Sequence, residues 1–520
     1  MSSMHTPVAI VGGGPCGLAL ALQLAQRQIP CVVFEKKPGL STHPKAMGIS
    51  RRSAEIFRQL GILDALYEPC RRLNEEPDIC LNIFAHSFVG EEWGRIPLTE
   101  PFSPLSPGPS FNCPQTLTEQ VIFDALEKVA PGCVRFNQEV TDVKSTGDKV
   151  EFKIGDQTWT ADWLIAADGA GGHIRHELQI ETDGPGNMGH FLNVYFRADY
   201  GKHLQDRRSI LFSVLSEENI EFFVTVNGDD LWLMHHFLQP GETPADFPAE
   251  KLASIIRQSS GLTEVPVEVL SISPWVMSPK VSRKFRAGRI FFAGDSAARM
   301  SPSGGLGLNT GLQSTHNLAW KLAAVMQGMA SSALLDSYEQ ERRGAALWTL
   351  ENTNRNAGEI FALVEPTIKQ DWSEVRRLIA KNGRAGSRLG IDLGIEYPTG
   401  ALIPDGTDPV PRNDPVNDYI PNARPGSRAP HFILEDGRSV HDLFGKGFVL
   451  LAAETGPQST PAYSAHVLPG NSVFATLYGL EPGGCVLVRP DGYVAARWRQ
   501  SPPDGAVESA MSKILTPGKI

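Results

Sequence analysis

The 520-residue chain has no apolar run approaching the roughly 18 residues that a membrane span needs. Its first residues, MSSMHTPVAIVGGG, pass straight into a strand pattern, with no charged and apolar regions of a secretory leader ahead of it. Basic clusters are missing too: 48 Lys and Arg face 58 Asp and Glu, for a net charge of −10. That balance argues against nucleic acid or an anionic membrane as the main partner. Cysteine is scarce and scattered, seven residues with no CxxC among them. Zinc sites and dithiol chemistry are therefore not expected, no metal is predicted, and a reducing cytoplasm is the simplest compartment. Internal repeats and low-complexity tails are also absent.

What is present is a composition of ordinary globular type, 41% apolar and 20% charged, long enough for two or three domains. The segment PVAIVGGGPCGLALALQLAQRQIPCVVFEKK opens the chain with a buried strand, a glycine turn, a helix and a second strand. This is a βαβ unit. DWLIAADGAGG and GRIFFAGD repeat the pattern of an uninterrupted apolar strand running into glycine, as in a parallel sheet covered on both faces. Between about 185 and 275 the texture becomes alternating and β-rich, which predicts an antiparallel sheet inserted into the nucleotide-binding domain. Residues 312–385 read as mostly helical. Residues 396–425, rich in Pro, Asp, Asn and Gly, read as a surface linker to a small α/β module at 426–520. The remaining boundaries are 1–75, 105–182 and 276–395 for the nucleotide domain, and 76–104 with 183–275 for the inserted sheet.

Gly12-Gly13-Gly14-Pro15-Cys16-Gly17 fits GxGxxG between a strand and a helix. Gly12 permits the tight turn, Gly14 lets a pyrophosphate approach the backbone, and Gly17 allows close helix–strand packing. Glu35 follows at the end of the second strand, where a carboxylate can bind a ribose diol. A second glycine segment, GDSAARMSPSGGLGLNTG at 294–311, holds five glycines and one acid. Its side chains offer almost no acid or base, so whatever chemistry it serves relies mostly on backbone.

With these segments and DGAGGHIR (168–175), the chain resembles the single-component, FAD-dependent aromatic hydroxylases related to p-hydroxybenzoate hydroxylase. It is most similar to the branch acting on phenols and polyketides, which carries a thioredoxin-like C-terminal domain. The resemblance spans nearly the whole chain. It implies an α/β fold with a Rossmann-type FAD-binding domain, an inserted antiparallel substrate sheet and a C-terminal module. That module holds only Cys485, so it cannot run dithiol exchange.

The resemblance implies roles for particular residues. Gly12, Gly14, Pro15, Gly17 and Glu35 would hold the adenosine and pyrophosphate half of FAD. Lys45, in PKAM where the family has PRA, and Gln115 would sit near the ribose and phosphates. Asp168 would touch the pyrophosphate region and help receive NAD(P)H, or cap the next helix. Asp295 would accept from the ribityl hydroxyls. Gly305, Gly307, Leu308 and Asn309 would present N–H groups and a helix dipole to the flavin edge where negative charge gathers. Pro302 would border the reacting carbon. Three places leave the pattern: Ala298 for His, Ser301 for Pro and Ser314 for Asp. Gly172 also stands where the family has Ser.

His235 and His236 are adjacent on a predicted strand, so they must face opposite sides. Either one is a candidate general base toward a phenol, or a structural residue. Trp232, Phe222 and Phe237 are candidates for an aromatic wall or for core. Arg51 and Arg52 read as helix-surface charges.

The implied cycle is reduction of FAD by NADPH or NADH, reaction with O2 to a C4a-hydroperoxide, and transfer of one oxygen to a phenolic or polyketide-type aromatic, in keeping with secondary metabolism. Baeyer–Villiger or epoxidising oxygenation remains an alternative, as does a reductase or oxidase of the same fold. No second glycine fingerprint follows a strand, so the nicotinamide cofactor would visit transiently. The flavin halogenase motif WxWxIP is absent. The partners expected are small molecules, with room left for a homodimer.

Overall fold

The computed structural model describes residues 4–76, 79–98, 102–217, 220–383, 386, 388–454, 458–468 and 471–516. Apolar runs without alternation, such as Val8–Val11 and Leu164–Ala166, are fully buried and form the centre of an eight-stranded sheet. Its parallel strands lie in the order Ile290–Phe292, Gln157–Ala166, Met4–Val11, Cys31–Phe34 and Val134–Arg135. The first three of these run into glycine at the same edge, at Gly294, Gly169 and Gly12, where a parallel sheet leaves a crevice for ligands. The helices Pro15–Gln26 and Gly307–Met326 pack side by side against it.

The β-rich region builds a separate seven-stranded sheet. Its core strands, from Gly189–Arg197 to Glu268–Met277, are antiparallel with side chains alternating between faces. One pair departs from the predicted antiparallel pattern. Leu81–Ala85 joins Leu211–Leu215 in parallel, and Glu92–Pro97 closes that edge. One face packs on the helix Ala249–Ser260 through Leu252 and Ile256. The other face turns toward the glycine edge of the large sheet, where Met47 packs on Leu233.

The C-terminal module has a four-stranded sheet in the order Tyr463–Val467, Phe448–Ala452, Cys485–Val488, Val494–Trp498. The first two are parallel and the rest antiparallel, a thioredoxin-like arrangement. The segment before it is not the loose surface linker its composition suggests. It carries no helix or strand after Leu393, yet Tyr397, Ala401, Leu402 and Val416 are buried, and Tyr397 stacks on Tyr493 with centroids 4.4 Å apart. Proline fixes its path without hydrogen-bonding the backbone, so apolar side chains can still dock.

Candidate active site: a glycine-edged cleft and a facing sheet

The cleft begins at the first glycine turn. Gly12 has φ +110°, and a Cβ there would lie 2.3 Å from the Ala167 carbonyl oxygen. A Cβ on Gly17 would lie 2.0 Å from the Gly12 oxygen. Gly14 differs: nothing lies within 4 Å of its missing side chain, so it opens on free space. Pro15 starts the helix, whose N-cap Gly14 makes no side-chain cap, leaving N–H groups facing that space. Glu35 comes back to the turn: its Oε2 accepts from Gly13 N–H at 2.6 Å and its Oε1 from Lys37 N–H at 2.9 Å.

Next along the edge, Asp168 accepts from Ile174 N–H at 3.3 Å through Oδ2, so it does cap the following turn. Its Oδ1 is buried without a partner. The departure at Gly172 has a physical reason here. A Cβ on Gly172 would lie 2.2 Å from the Asp168 carboxyl carbon, so serine does not fit beneath this rotamer. Gln115 and the segment around Lys45 form one unit: Gln115 N–H donates to Ala46 O at 2.9 Å, and Gln115 Nε2 donates to Glu119 at 2.7 Å. Lys45 is exposed to the cleft, where burial by its walls lowers its pKa and Glu119, Asp295 and Glu35 act against that.

Asp295 is open to solvent yet ringed by protein, the position of a side chain on the floor of a cleft. Burial raises its pKa, and Arg299 and Lys45 counter it. Beneath it lies Cys16. Burial, with help from Asp295, pushes that thiol up to about 12, so it is inert. A Cβ on Gly311 would lie 2.4 Å from Cys16 Sγ, which explains why the second glycine segment must end on glycine for the two helices to meet.

The turn Ser301–Leu306 feeds the helix Gly307–Met326. Gly304 and Gly305 have φ +111° and +63°, and Gly305 N–H donates to Pro302 O at 2.9 Å. Leu306, at the N-cap, supplies no side-chain cap, so the N–H groups of Gly307 and Leu308 are left for a ligand. Pro302 and Gly305 are exposed. The Asn309 side chain has a further task beside the backbone N–H expected to face the cofactor. It is fully buried and spent on backbone: Oδ1 accepts from Ser50 N–H at 2.9 Å, and Nδ2 donates to Gly48 O at 3.0 Å and Gly305 O at 2.7 Å. It clamps the Gly48–Ile49 strand to the glycine turn.

The facing sheet separates the two histidines. His236 Nδ1 lies 2.8 Å from Glu221 Oε1, and its ring packs on Phe247, on the face covered by helix Ala249–Ser260. It therefore lies away from the cleft. His235 faces the other way, in register with Asn193 and Phe222. Phe191, Phe237 and Trp275 continue the same face, with Phe191 and Trp275 stacked at 4.7 Å. His43, ahead of Lys45, reaches this face and meets Ser271 Oγ at 2.7 Å. Ser301 meets Met277 Sδ at 3.7 Å, bringing the Pro302 loop beside it. His235 Nδ1, Trp275 Nε1 and Asn193 Oδ1 are buried without hydrogen bonds. Of the three proposed wall residues, Phe222 and Phe237 lie here, whereas Trp232 is core on the far side against Phe88. Arg51 and Arg52 are also not surface charges, being 2% exposed each.

These residues fit FAD: an unobstructed Gly14, an orphaned Asp168 oxygen, a cleft-floor Asp295 and two uncapped helix starts. Among the described residues no helix is long and apolar enough to cross a membrane, and no group of three or more His, Cys, Asp or Glu could hold a metal.

Residues 5–353 match the family model described as FAD binding domain, and residues 422–517 that described as aromatic-ring hydroxylase, C-terminal. The chain is 33% identical to tetracenomycin A2 monooxygenase-dioxygenase of Streptomyces glaucescens, over 100% of this chain and 99% of that one. It is 28% identical to 2,4-dichlorophenol 6-monooxygenase of Delftia acidovorans, over 99% and 98% of the two chains. The solved flavin-dependent monooxygenase PieE, with FAD and substrate, superposes with a TM-score of 0.89 at 28% identity, covering 99% of this chain and 100% of that one. Aklavinone-11 hydroxylase with FAD and aklavinone gives 0.84 at 26%, covering 99% and 100%. With both family models matched and relatives aligned from end to end, the chain belongs to the FAD-dependent aromatic-ring hydroxylases and is a flavoprotein monooxygenase.

Proposed function

We propose that this monooxygenase inserts one oxygen atom of O2 into an electron-rich phenolic or polyketide-type aromatic ring, with NAD(P)H as transient reductant. The supporting observation is the aromatic face of the inserted sheet. It holds unpartnered polar atoms of His235, Trp275 and Asn193 and meets the Pro302 loop through Ser301. A flat ring sits well against Phe191, Phe237 and Trp275, and its hydroxyls find the orphaned polar atoms. The relatives named above act on ring systems of this chemical class, which agrees with it.

Bound FAD supplies the activation of O2, which no side chain here can perform. The chain's residues hold and orient. Burial, with His43 nearby, lowers His235 to about 4, so its imidazole is neutral throughout the physiological range. A base that weak does not remove a phenol proton outright. His235 instead accepts a hydrogen bond at Nδ1 and fixes the ring beside the Pro302 loop. Asp295 and the uncapped start of the Gly307–Met326 helix hold the cofactor, and the sheet face keeps water out.

The deciding experiment supplies isotopic O2 with NADPH, or NADH, and a panel of phenols and polycyclic polyketides, and weighs the products. One labelled oxygen on the ring is expected. Reductant consumption with only hydrogen peroxide for every compound would instead make the chain an oxidase. His235→Ala is expected to lower kcat/KM about tenfold, the worth of one neutral hydrogen bond. His236→Ala should leave kcat/KM unchanged and lower the melting temperature.

A further inference from the structure

One cation in the cleft was announced by no motif. Arg388 stands just ahead of the helix Leu389–Leu393. Its Nη2 lies 3.8 Å from where a side chain on Gly48 would begin, and its Nη1 3.5 Å from the same point on Gly305. Those two glycines are the ones that Asn309 clamps together. The guanidinium therefore lies across one cradle, touching both of its sides.

Among the described residues the Arg388 side chain has no hydrogen bond or ion pair, and its Nε is buried without a partner. The acid that acts on it, Asp392, is already engaged: Oδ2 accepts from Arg51 N–H at 2.8 Å and Oδ1 from Arg52 N–H at 3.3 Å. Holding a guanidinium out of bulk water with its acid neighbour engaged elsewhere is costly, and the cost is recovered when an anion arrives. The same opening also faces the uncapped start of a 20-residue helix, whose N–H groups and dipole add positive potential. Two independent sources of positive charge converge on one gap between two glycines. A planar group can enter there, because neither glycine has a side chain to obstruct it.

We propose that Arg388 is the counter-charge for the flavin ring, binding the cofactor more tightly once reduction has made the ring anionic. The proposal rests on reading the Gly48, Gly305 and Asn309 cradle as the flavin site. It predicts that Arg388 discriminates between the two redox states of one ligand. A residue that merely shapes the fold would not.

The test uses full-length holoenzyme with Arg388→Met and Arg388→Lys. Midpoint potential is measured by dye equilibration without substrate, and the dissociation constant for oxidised FAD by fluorescence. Arg388→Met is expected to bind oxidised FAD within about threefold of the parent but reduced FAD at least tenfold more weakly. For a two-electron couple that lowers the potential by about 30 mV per tenfold. Arg388→Lys, which keeps the charge without the planar fork, should fall between. An unchanged potential in Arg388→Met would overturn the proposal. If the same variant also loses affinity for a phenolic probe, seen as a flavin difference spectrum, the arginine serves a substrate anion instead. Equal loss of both redox forms with normal melting would mean the side chain only shapes the cradle, which also overturns it. If the parent itself binds no FAD, the reading of the cradle fails, and that result is distinct from the others.

Discussion

At the residue scale, the departures from the family pattern become physical statements. Ser314 replaces the usual aspartate, and it faces Arg342, which is fully buried. Arg342 Nε donates to Ser314 Oγ at 3.2 Å, Nη1 to Tyr397 Oη at 2.9 Å and Nη2 to Thr310 O at 3.4 Å. Every acceptor is neutral. Restoring the acid by Ser314→Asp gives the guanidinium a charged partner in place. It should raise stability by about 1–3 kcal/mol, read as a higher melting temperature. Ala298 is simpler, because it is buried in a small strand pair against Val281. The histidine pair shows what sequence can and cannot resolve. Strand alternation required that the two face opposite sides, but only the position of helix Ala249–Ser260 shows that His236 is the covered one.

At the element scale, the glycine segments were legible because glycine at a close approach has one physical explanation. GxGxxG after a strand could be placed at the crevice from spacing, and GGLGL before a helix from the family resemblance. What spacing could not show is why Gly311 closes the motif, since its neighbour Cys16 is nearly 300 positions away in sequence. The packing of helix Pro15–Gln26 on Gly307–Met326 depends on that contact. Gly311→Ala should destabilise the protein by about 1–3 kcal/mol through overpacking. Adding Cys16→Ala should recover much of the loss, so a double-mutant cycle on melting should show strong coupling. Additive effects would mean that the helices meet through other contacts. Arg388 was illegible for a related reason. It precedes a five-residue helix, and only the fold carries it to the glycines.

At the scale of the whole molecule, the C-terminal module is bolted on by buried ions. Glu341 accepts both arms of Arg489, at 2.7 and 2.9 Å, and Lys321 Nζ at 2.8 Å. Arg489 also pairs with Asp491 at 2.5 Å. A second network joins Glu55 to Arg52, at 2.7 Å, and to Arg428. Arg52 reads as a surface charge because, beyond Glu55, the groups that bury it, Arg428 and the backbone of Asp491, lie more than 370 positions away, on a module whose docking face carries no local signature. Arg489→Met removes the ion-pair partner of Asp491, leaves Glu341 to Lys321 alone, and should cost about 3–5 kcal/mol. Acid should act in two stages. Burial, with Arg428 adding to it, drops His441 to about 3, and burial drops His316 to about 3 as well. Both stay neutral when folded but take a proton when unfolded below about 6.5. Stability from each is therefore present at neutral pH and lost as pH falls from about 6.5 toward 3, at about 1.4 kcal/mol per unit. Carboxylates follow. Burial opposes the charge on Asp491, but Arg489 outweighs it and holds the group at about 2. Glu55 and Glu341 are likewise depressed, against burial, by their arginines. Their contribution is present above about 4 and fades only below it. Melting temperature should thus fall between pH 7 and 5, and His441→Gln should flatten that slope.

The second network has a consequence for biosynthesis. The strand Gly48–Ile49, one wall of the proposed flavin cradle, runs directly into the helix Arg51–Gln59 that carries Arg52 and Glu55. That helix waits for Arg428 and for the backbone of Asp491. A ribosome makes the glycine turn long before it makes either partner. If the cradle holds the flavin, FAD capture is a late event: a chain halted before residue 428 is expected to keep its nucleotide fingerprint but to bind FAD much more weakly than the full chain, which flavin fluorescence would show.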